Sequence, residues 1–152
     1  MLNLFFQPAT PADVDSLLVM VREFYAHEDL SFVEAAARQA LNGILSNQAF
    51  GRVFLICADG EVAGYTVLTF GYSLEFHGRD AFVDELFLLE KFRGQGISQR
   101  VLEFLASVCR ENNIAALHLE VERKNLPAQR AYNKFGFADH DRYLLTKWLG
   151  IE

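Results

Sequence analysis

Apolar residues occur along the chain either in short runs of strand length or at helical spacing. These patterns predict the first five elements. A short run that ends at Pro8 has the length of a strand, and two later runs joined by Asp59-Gly60 have the pattern of a hairpin. Apolar residues at helical spacing follow Thr10, a predicted helix cap. The predicted elements are a strand at 2–7, a helix ending near Tyr25, a helix capped by Ser31, and strands at 52–58 and 62–72.

The second half of the chain adds a central strand, two helices and further strands. The apolar run at 86–89 is too short and too abruptly ended for a helix, so it predicts the buried end of a strand from Phe82. A turn at 75–80 precedes that strand. The elements after it are a helix from Ser98 to Asn112, a strand at 115–121, a helix from Pro127 to Gly136, and closing strands at Phe137 and 142–148. A crossover helix joins the strand at 115–121 to the strand from Phe82, so the two should lie parallel.

The order β-α-α-β-β-β-α-β-α-β-β predicts an α/β fold. We expect a mixed central sheet of about six or seven strands with about four flanking helices. The chain has 152 residues and no linker or repeat. It should therefore form a single domain over residues 1–152.

Composition and charge narrow the class of protein. The formal net charge is −6 and no basic block is present, which argues against nucleic acid as a partner and weakly favours cationic small substrates. Cys57 and Cys109 lie in apolar segments without CxxC spacing, so we expect reduced thiols and a cytoplasmic location. No signal peptide is predicted, and no apolar stretch approaches the ~20 residues of a membrane span. His77, His118 and His140 are not clustered in spacing, so no metal site is predicted.

A glycine turn between the central strand and the next helix is a candidate anion site. Gly94 and Gly96 permit a tight turn with positive φ, and the helix that begins near Ser98 adds unpartnered N–H groups and the positive end of its dipole. Arg93 adds a full charge, so the turn is suited to a phosphate or pyrophosphate. The Rossmann and P-loop motifs do not fit, because Gln99 replaces a third glycine and no Gly-Lys-Ser/Thr is present. An ordinary structural turn is the alternative.

Two motifs resemble the GNAT superfamily of acyl-CoA-dependent N-acetyltransferases. Residues 91–96, KFRGQG, resemble its Arg/Gln-x-x-Gly-x-Gly/Ala signature, although Lys91 departs from the usual first residue. Residues 125–137, NLPAQRAYNKFGF, resemble its Asn-to-Tyr pattern, which implies that Asn125 contacts the pantetheine arm and that Tyr132 lies near the cofactor sulfur. The resemblance implies acetyl-CoA as co-substrate. The residues expected to bind it are Leu86, Phe87, Leu88, Arg93, Gly94, Gln95, Gly96, Ile97, Ser98, Gln99, Asn125, Ala128 and Tyr132.

The expected reaction is direct attack of a primary amine on the thioester. An amine with a lysine-like pKa is neutral in a fraction on the order of one in a thousand at pH 7, so a base in the cleft would help. Asp84 and Glu85 are the candidate bases, and the sequence does not distinguish between them. Both can reach one cleft only if the strand bulges there, because side chains alternate along a regular strand. Tyr132 is the candidate acid for the leaving thiolate.

A further resemblance to the diamine (spermidine/spermine) acetyltransferases concerns the acceptor. It rests on the opening QPATPAD…FYAHE and the tract GRDAFVDELFLLEKFRGQGI, and it implies that His27, Glu28, Asp84 and Glu85 bind a small cationic amine. Phe24, Tyr25 and Phe76 either wall that pocket or pack in the core. The alternatives are a protein lysine or N-terminus, an aminoglycoside, and a module that binds acyl-CoA without turnover. The family resemblance also implies a homodimer.

Overall fold

Five strands form one mixed sheet in the part of the chain that the structure, a computed structural model, describes, residues 2–150. The strands are β1 (Leu4–Pro8), β2 (Gly51–Ala58), β3 (Glu61–Ser73), β4 (Gly78–Leu88) and β5 (Ala116–His118). Their spatial order is the order of the sequence. The first four strands pair antiparallel, and β5 pairs parallel to β4 as the crossover helix predicts.

Within residues 2–150, four α-helices occur at the places where apolar residues have helical spacing. They are α1 (Val14–His27), α2 (Glu34–Ser46), α3 (Ile97–Glu111) and α4 (Leu126–Lys134). The predicted cap of α2 at Ser31 is wrong, because the backbone remains extended to Val33 and no side chain caps the helix there. The observed sheet and helices confirm the predicted α/β class. No helix among residues 2–150 is long and apolar enough to cross a membrane.

Two apolar cores cover opposite faces of the sheet. One core joins α1 and α2 to the sheet through Leu17, Val21, Leu41, Tyr65 and Phe87. The other joins α3 to the sheet through Ile56, Leu68, Ala81, Val101 and Leu105. Side chains that alternate along β3 and β4 supply both cores, which explains why these strands are apolar over most of their length.

The chain divides into two compact units, with the boundary between Leu119 and Glu120. The first unit contains the sheet with α1, α2 and α3, and the second contains α4. The single domain expected over residues 1–152 therefore stays a prediction.

The last strand of the sheet pairs with only part of its neighbour. Residues 80–82 of β4 pair with 116–118 of β5, and β4 then continues to Leu88. The predicted strand at 115–121 is thus shorter than expected. The His118 ring nitrogen Nε2 lies 3.0 Å from Asp80 Oδ2, which fixes the paired end. Beyond it, residues 83 and 85–88 keep their pairing with β3 but have one edge without a strand partner in the described sheet.

The closing strands predicted at Phe137 and at 142–148 are wrong. Residues 135–150 contain no helix or strand. Strands need a neighbour that completes their hydrogen bonds, and apolar composition alone cannot supply one. Tyr143, Leu145 and Trp148, which the prediction placed in a sheet, are 78%, 88% and 91% exposed. The part of the chain that the structure describes has five strands, below the predicted six or seven.

Candidate active site

A shallow cleft of ≈ 170 Å³ lies between the end of α1, the end of β4 and the start of α3. The residues that line it are Phe24, His27, Glu28, Leu86, Phe87, Leu88, Arg93 and Ser98. All but Phe24 were assigned from the sequence to a cofactor or acceptor site. The structure thus brings together residues from three separate elements that the sequence selected on different grounds.

The glycine turn has the backbone that the sequence predicts. Gly94 and Gly96 have φ of 75° and 79°, and α3 begins at Ile97 immediately afterwards. No side chain caps this helix, and its first turn has no acidic residue. The N–H groups of the first turn have no partner within the helix, and the dipole is positive at this end. The turn and helix start therefore favour an anion.

Arg93 is held at the end of β4 beside this turn. Its Nε donates to the carbonyl oxygen of Leu88 at 2.9 Å, and its Cζ lies 5.6 Å from the centre of the Phe87 ring. The guanidinium makes no other hydrogen bond to residues 2–150. Its remaining N–H groups are thus available to an anion in the cleft, which suits the fork geometry of arginine toward phosphate.

Lys91, the residue at which the motif departs from the family signature, forms an ion pair with Glu61. Its Nζ lies 2.7 Å from Glu61 Oε2, and both side chains are exposed. Its carbonyl oxygen accepts a hydrogen bond from the Gln95 side chain at 2.9 Å. Lys91 therefore supports the turn through its backbone, and Gln95 is engaged in the turn itself.

A β-bulge occurs where the sequence analysis required one. Val67 of β3 pairs with Glu85 of β4, but the next residue, Leu68, pairs with Val83. Asp84 is thus the extra residue. The fully buried Thr66 donates its hydroxyl to the carbonyl oxygen of Glu85 at 2.9 Å. The bulge removes the strict alternation of side chains, so neighbouring carboxylates need not face opposite sides.

The carboxylate of Glu85 accepts hydrogen bonds from two tyrosines. Tyr25 Oη of α1 donates to Oε2 at 2.5 Å, and Tyr65 Oη of β3 donates to Oε1 at 2.8 Å. Glu85 and Phe87 are two residues apart on β4, and Phe87 packs in the core with α1 and α2. Glu85 therefore lies on the sheet face that carries α1, next to the cleft wall formed by Leu86.

Burial raises the pKa of both carboxylates. For Asp84, loss of hydration around the carboxylate is the cause, although the residue as a whole is exposed. For Glu85, burial raises the pKa, the bonds from Tyr25 and Tyr65 lower it, and the charge of Asp84 raises it, with a net rise. Burial raises the pKa of Tyr25 and of Tyr65, the contact with Glu85 raises it further, and the Asp84 charge adds to the rise. Asp84 is the bulge residue next to Glu85 on β4, so the two carboxylates are neighbours. A raised carboxylate pKa suits a general base near neutral pH.

The C-terminal end of α1 forms the opposite wall. His27 and Glu28 line the cleft and are both exposed. Of the aromatic residues weighed as pocket walls, Phe24 lines the cleft, whereas Tyr25 bonds Glu85. Phe76 lies elsewhere, with its ring 4.4 Å from that of His118.

The second unit carries the Asn-to-Tyr motif on and around α4. Asn125 is the N-cap of α4, and its side-chain oxygen accepts from the Ala128 N–H at 3.3 Å. Tyr132 packs edge-on against Phe137, with ring centres 6.0 Å apart. Gly136 has φ of 94°, which explains the glycine at the second-last position of the motif. The motif therefore has a structural basis within its own unit.

The model of the Acetyltransferase (GNAT) family matches residues 18–137. The chain belongs to this family, and it is an acetyltransferase. It is 28% identical over 144 residues to the thialysine N-epsilon-acetyltransferase of Bos taurus, with 86% of this chain and 82% of that protein covered.

Solved structures share its fold. An integron cassette protein from the mobile metagenome of Cole Harbour Salt Marsh is 30% identical, with a TM-score of 0.83 and 97% of this chain and 91% of that chain covered. A predicted acetyltransferase of Clostridium acetobutylicum, crystallised with acetyl-CoA, has a TM-score of 0.80 at 18% identity, with 95% and 96% covered.

Two residues that organise the candidate site of this acetyltransferase were not identified from the sequence. Tyr65 and Thr66 lie in the middle of an apolar strand, where they were treated only as strand residues. Both are 0% exposed, and both donate to Glu85. A hydroxyl in a buried strand needs a partner, and that requirement is the signal that could have found them. No cluster of three or more metal-ligand side chains occurs in the described range.

Asp84→Asn should stabilise the acetyltransferase at alkaline pH. Burial raises the pKa of Asp84, so the folded state holds its proton more tightly than the unfolded state. The stability of the parent protein therefore falls as pH rises from the ordinary aspartate value, about 3.9, through the folded value. The neutral asparagine avoids this loss. We expect a higher melting temperature than the parent at pH 8 and no difference at acidic pH below both values.

Asp29, which follows the end of α1, provides the control for this substitution. Its φ is 56°, a conformation that asparagine accepts as readily as aspartate. Asp29→Asn removes one carboxylate away from the bulge and measures the effect of the lost charge alone. A stabilisation by Asp84→Asn of equal size at every pH would contradict the assigned burial effect.

Proposed function

We propose that this acetyltransferase transfers the acetyl group of acetyl-CoA to a primary amine of a small, cationic, diamine-like acceptor. The observation that carries the proposal is the arrangement of the cleft. One side offers an open strand edge, an arginine and an uncapped helix start, and the other offers His27 and Glu28. The Asp84-Glu85 bulge does not line the cleft itself but immediately precedes its lining residue Leu86 on β4. The first set suits a phosphate-bearing thioester, and the second suits a positively charged amine.

Acetyl-CoA would bind along β4 and the glycine turn. The edge at Leu86, Phe87 and Leu88 has no strand partner in the described sheet, although the Leu88 carbonyl oxygen accepts from Arg93 Nε. This edge can bond the pantetheine arm as an added strand does. Arg93 and the main-chain amides of the turn would hold the pyrophosphate. Those amides belong to Gly94, Gln95, Gly96, Ile97, Ser98 and Gln99. When bound, acetyl-CoA supplies an activated acetyl group as a thioester. A solved structure of the same fold was crystallised with acetyl-CoA, which supports acetyl-CoA as the co-substrate.

The residues of the chain would then position the amine and move its proton. An N–H near Leu86 would stabilise the oxyanion that develops on the acetyl group. Asp84 or Glu85 would accept the proton of the amine, directly or through water. Asn125 and Ala128 would contact the pantetheine arm, and Tyr132 would protonate the departing thiolate. Positioning and the oxyanion contact should supply most of the rate, with proton transfer as a smaller contribution.

The net charge of the chain and its similarity to a named amine acetyltransferase support the proposed class of acceptor. The net charge of −6 raises the local concentration of cationic amines. The bovine relative is named for acetylation of thialysine, an amine. An exposed His27 and Glu28 also leave room on the acceptor side for a peptide amine, which makes a lysine or N-terminus of a protein the second candidate.

A homodimer and a cytoplasmic location remain predictions, and sedimentation equilibrium would test the first.

A thiol-release assay with acetyl-CoA tests the proposed function. The acceptor panel contains thialysine, linear diamines and polyamines, amino acids, an aminoglycoside, and peptides with a free N-terminus or lysine. We expect the highest kcat/KM with a small diamine. Turnover confined to peptides would replace the proposed acceptor, and calorimetric CoA binding with no thiol release from any amine would indicate a module that binds without turnover.

A further inference from the structure

Two hydroxyls from different elements hold the carboxylate of Glu85. Tyr25 of α1 donates to Oε2 and Tyr65 of β3 donates to Oε1, so each oxygen has its own donor. Hydrogen bonds to an ionised carboxylate are stronger than those to a neutral acid and favour the charged form. The two tyrosine hydroxyls thus affect both the orientation of the Glu85 side chain and its charge.

Aromatic packing fixes the two tyrosine rings. Tyr65 is 0% exposed, and its ring centre lies 5.9 Å from that of Phe87. Phe24 meets both tyrosines edge-on, with ring centres 5.9 Å from Tyr25 and 6.3 Å from Tyr65. Rings packed in this way leave little freedom for the hydroxyls to turn away. The geometry of the Glu85 carboxylate is therefore set by the aromatic cluster.

The Tyr25 bond also connects the two walls of the cleft. Tyr25 lies between Phe24 and His27 on the last turn of α1, and both of those residues line the cleft. Glu85 lies next to Leu86, the first cleft residue of β4. A hydrogen bond from Tyr25 to Glu85 fixes the acceptor-side wall relative to the strand edge.

We propose that Tyr25 and Tyr65 are positioning residues that keep the Glu85 carboxylate charged and in one orientation for the amine acceptor. The role of the amine rests on the proposed function, whereas the effect on Glu85 does not. Burial and the Asp84 charge oppose ionisation of Glu85, and the two hydroxyls counteract them. The charged or titratable side chains that line the adjoining cleft are His27, Glu28 and Arg93.

A titration without substrate tests the effect on Glu85. The carboxyl carbon of Glu85 is followed by NMR against pH in the parent, in Tyr25→Phe and in Tyr65→Phe. Phenylalanine preserves the ring and removes only the donor. Loss of a donor to the charged form should raise the pKa of Glu85 by about one unit for each variant. Tyr72→Phe is the control, because Tyr72 is on the same strand as Tyr65 but is 77% exposed. It should leave the midpoint unchanged.

Steady-state kinetics with the best amine test the consequence for the acceptor. The acidic limb of the kcat/KM profile should move to higher pH by about the same one unit in each variant, since Glu85 then loses its charge at higher pH. Tyr25→Phe should in addition raise KM for the amine several-fold, because it also releases the α1 wall. KM for acetyl-CoA should not change. In a Glu85→Gln background, neither tyrosine substitution should move the limb further.

The outcomes separate this inference from the proposed function. An unchanged Glu85 midpoint in both folded variants overturns the inference, whatever the enzyme acetylates. A raised midpoint with an unmoved kinetic limb overturns the role in amine acetylation. A raised midpoint in a parent that releases no thiol with any amine supports the effect on Glu85 and refutes the proposed function. If buried Tyr65→Phe does not fold, Tyr25→Phe gives the same readout at a half-buried position.

Discussion

Tyr132→Phe should lower kcat by roughly 10²- to 10⁴-fold, the range that a general acid contributes. The phenol is the proposed proton donor to the departing thiolate, and phenylalanine keeps the ring that packs against Phe137. Because the hydroxyl would act on the leaving group in the transition state, KM for acetyl-CoA should remain nearly the same. The measurement is initial velocity of thiol release against acetyl-CoA concentration at saturating amine.

Tyr143→Phe is the matched control for this substitution. Tyr143 belongs to the same unit and is 78% exposed, with the Arg123 guanidinium 4.3 Å from its ring centre. It should retain parental kcat. A Tyr132→Phe enzyme with parental kcat would remove Tyr132 from the proposed chemistry, and a higher KM for acetyl-CoA with unchanged kcat would assign it to binding instead.

Gly96→Val should raise the Kd for acetyl-CoA about tenfold or more. Gly96 has φ of 79°, and nothing lies within 4 Å of a Cβ built there. The penalty therefore comes from the backbone, where a left-handed conformation costs a residue with a Cβ about 1–2 kcal/mol. Relaxation of that strain would turn the amides of the turn away from the anion. Each 1.4 kcal/mol corresponds to about a factor of ten in affinity. Calorimetric titration measures the change.

Two comparisons distinguish a loss of anion binding in Gly96→Val from a loss of folding stability. Gly60 has φ of 83° in the β2–β3 turn and is equally open, so Gly60→Val carries the same strain away from the cleft. It should lower the melting temperature about as much as Gly96→Val and leave the Kd for acetyl-CoA unchanged. Acetyl-pantetheine lacks the pyrophosphate, so Gly96→Val should not alter its kcat/KM. Equal losses with both thioesters would contradict the anion site.

The periodic elements and the glycine turn were predictable because local rules determine them. The helical spacing of apolar residues locates α1 and α3, and Asp59-Gly60 fits the turn that joins β2 and β3. Two glycines before a helix indicated positive φ, which Gly94 and Gly96 have. The bulge at Asp84 followed from asking how adjacent carboxylates could serve one cleft, and the register of β3 with β4 confirms it.

Contacts between distant segments were not predictable in the same way. Tyr65 meets Glu85 because of the register between two strands, and Tyr25 meets it because α1 crosses that face of the sheet. Neither fact is encoded in a local pattern. The ion pair between Lys91 and Glu61, which are 30 residues apart, also depends on the tertiary fold and not on a local pattern.

The predicted limits of turns and strands were wrong where a contact with a distant part of the chain determines the structure. The turn predicted at 75–80 is shorter, since Arg79 and Asp80 already belong to β4 and pair with β3. Asp80 also contacts His118 across the sheet, an interaction the histidine spacing did not indicate. The closing strands were predicted from apolar composition, but residues 142–148 have no strand partner among the described residues. Composition gives the capacity to form a strand, and pairing decides whether one forms.

A crystal structure of the enzyme with coenzyme A tests the central claim most directly. The account predicts that the diphosphate lies at the start of α3, bonded by the amides of residues 94–99 and by Arg93, with the pantetheine arm along Leu86–Leu88. A diphosphate bound elsewhere, with this turn occupied by side chains of the protein, would contradict it.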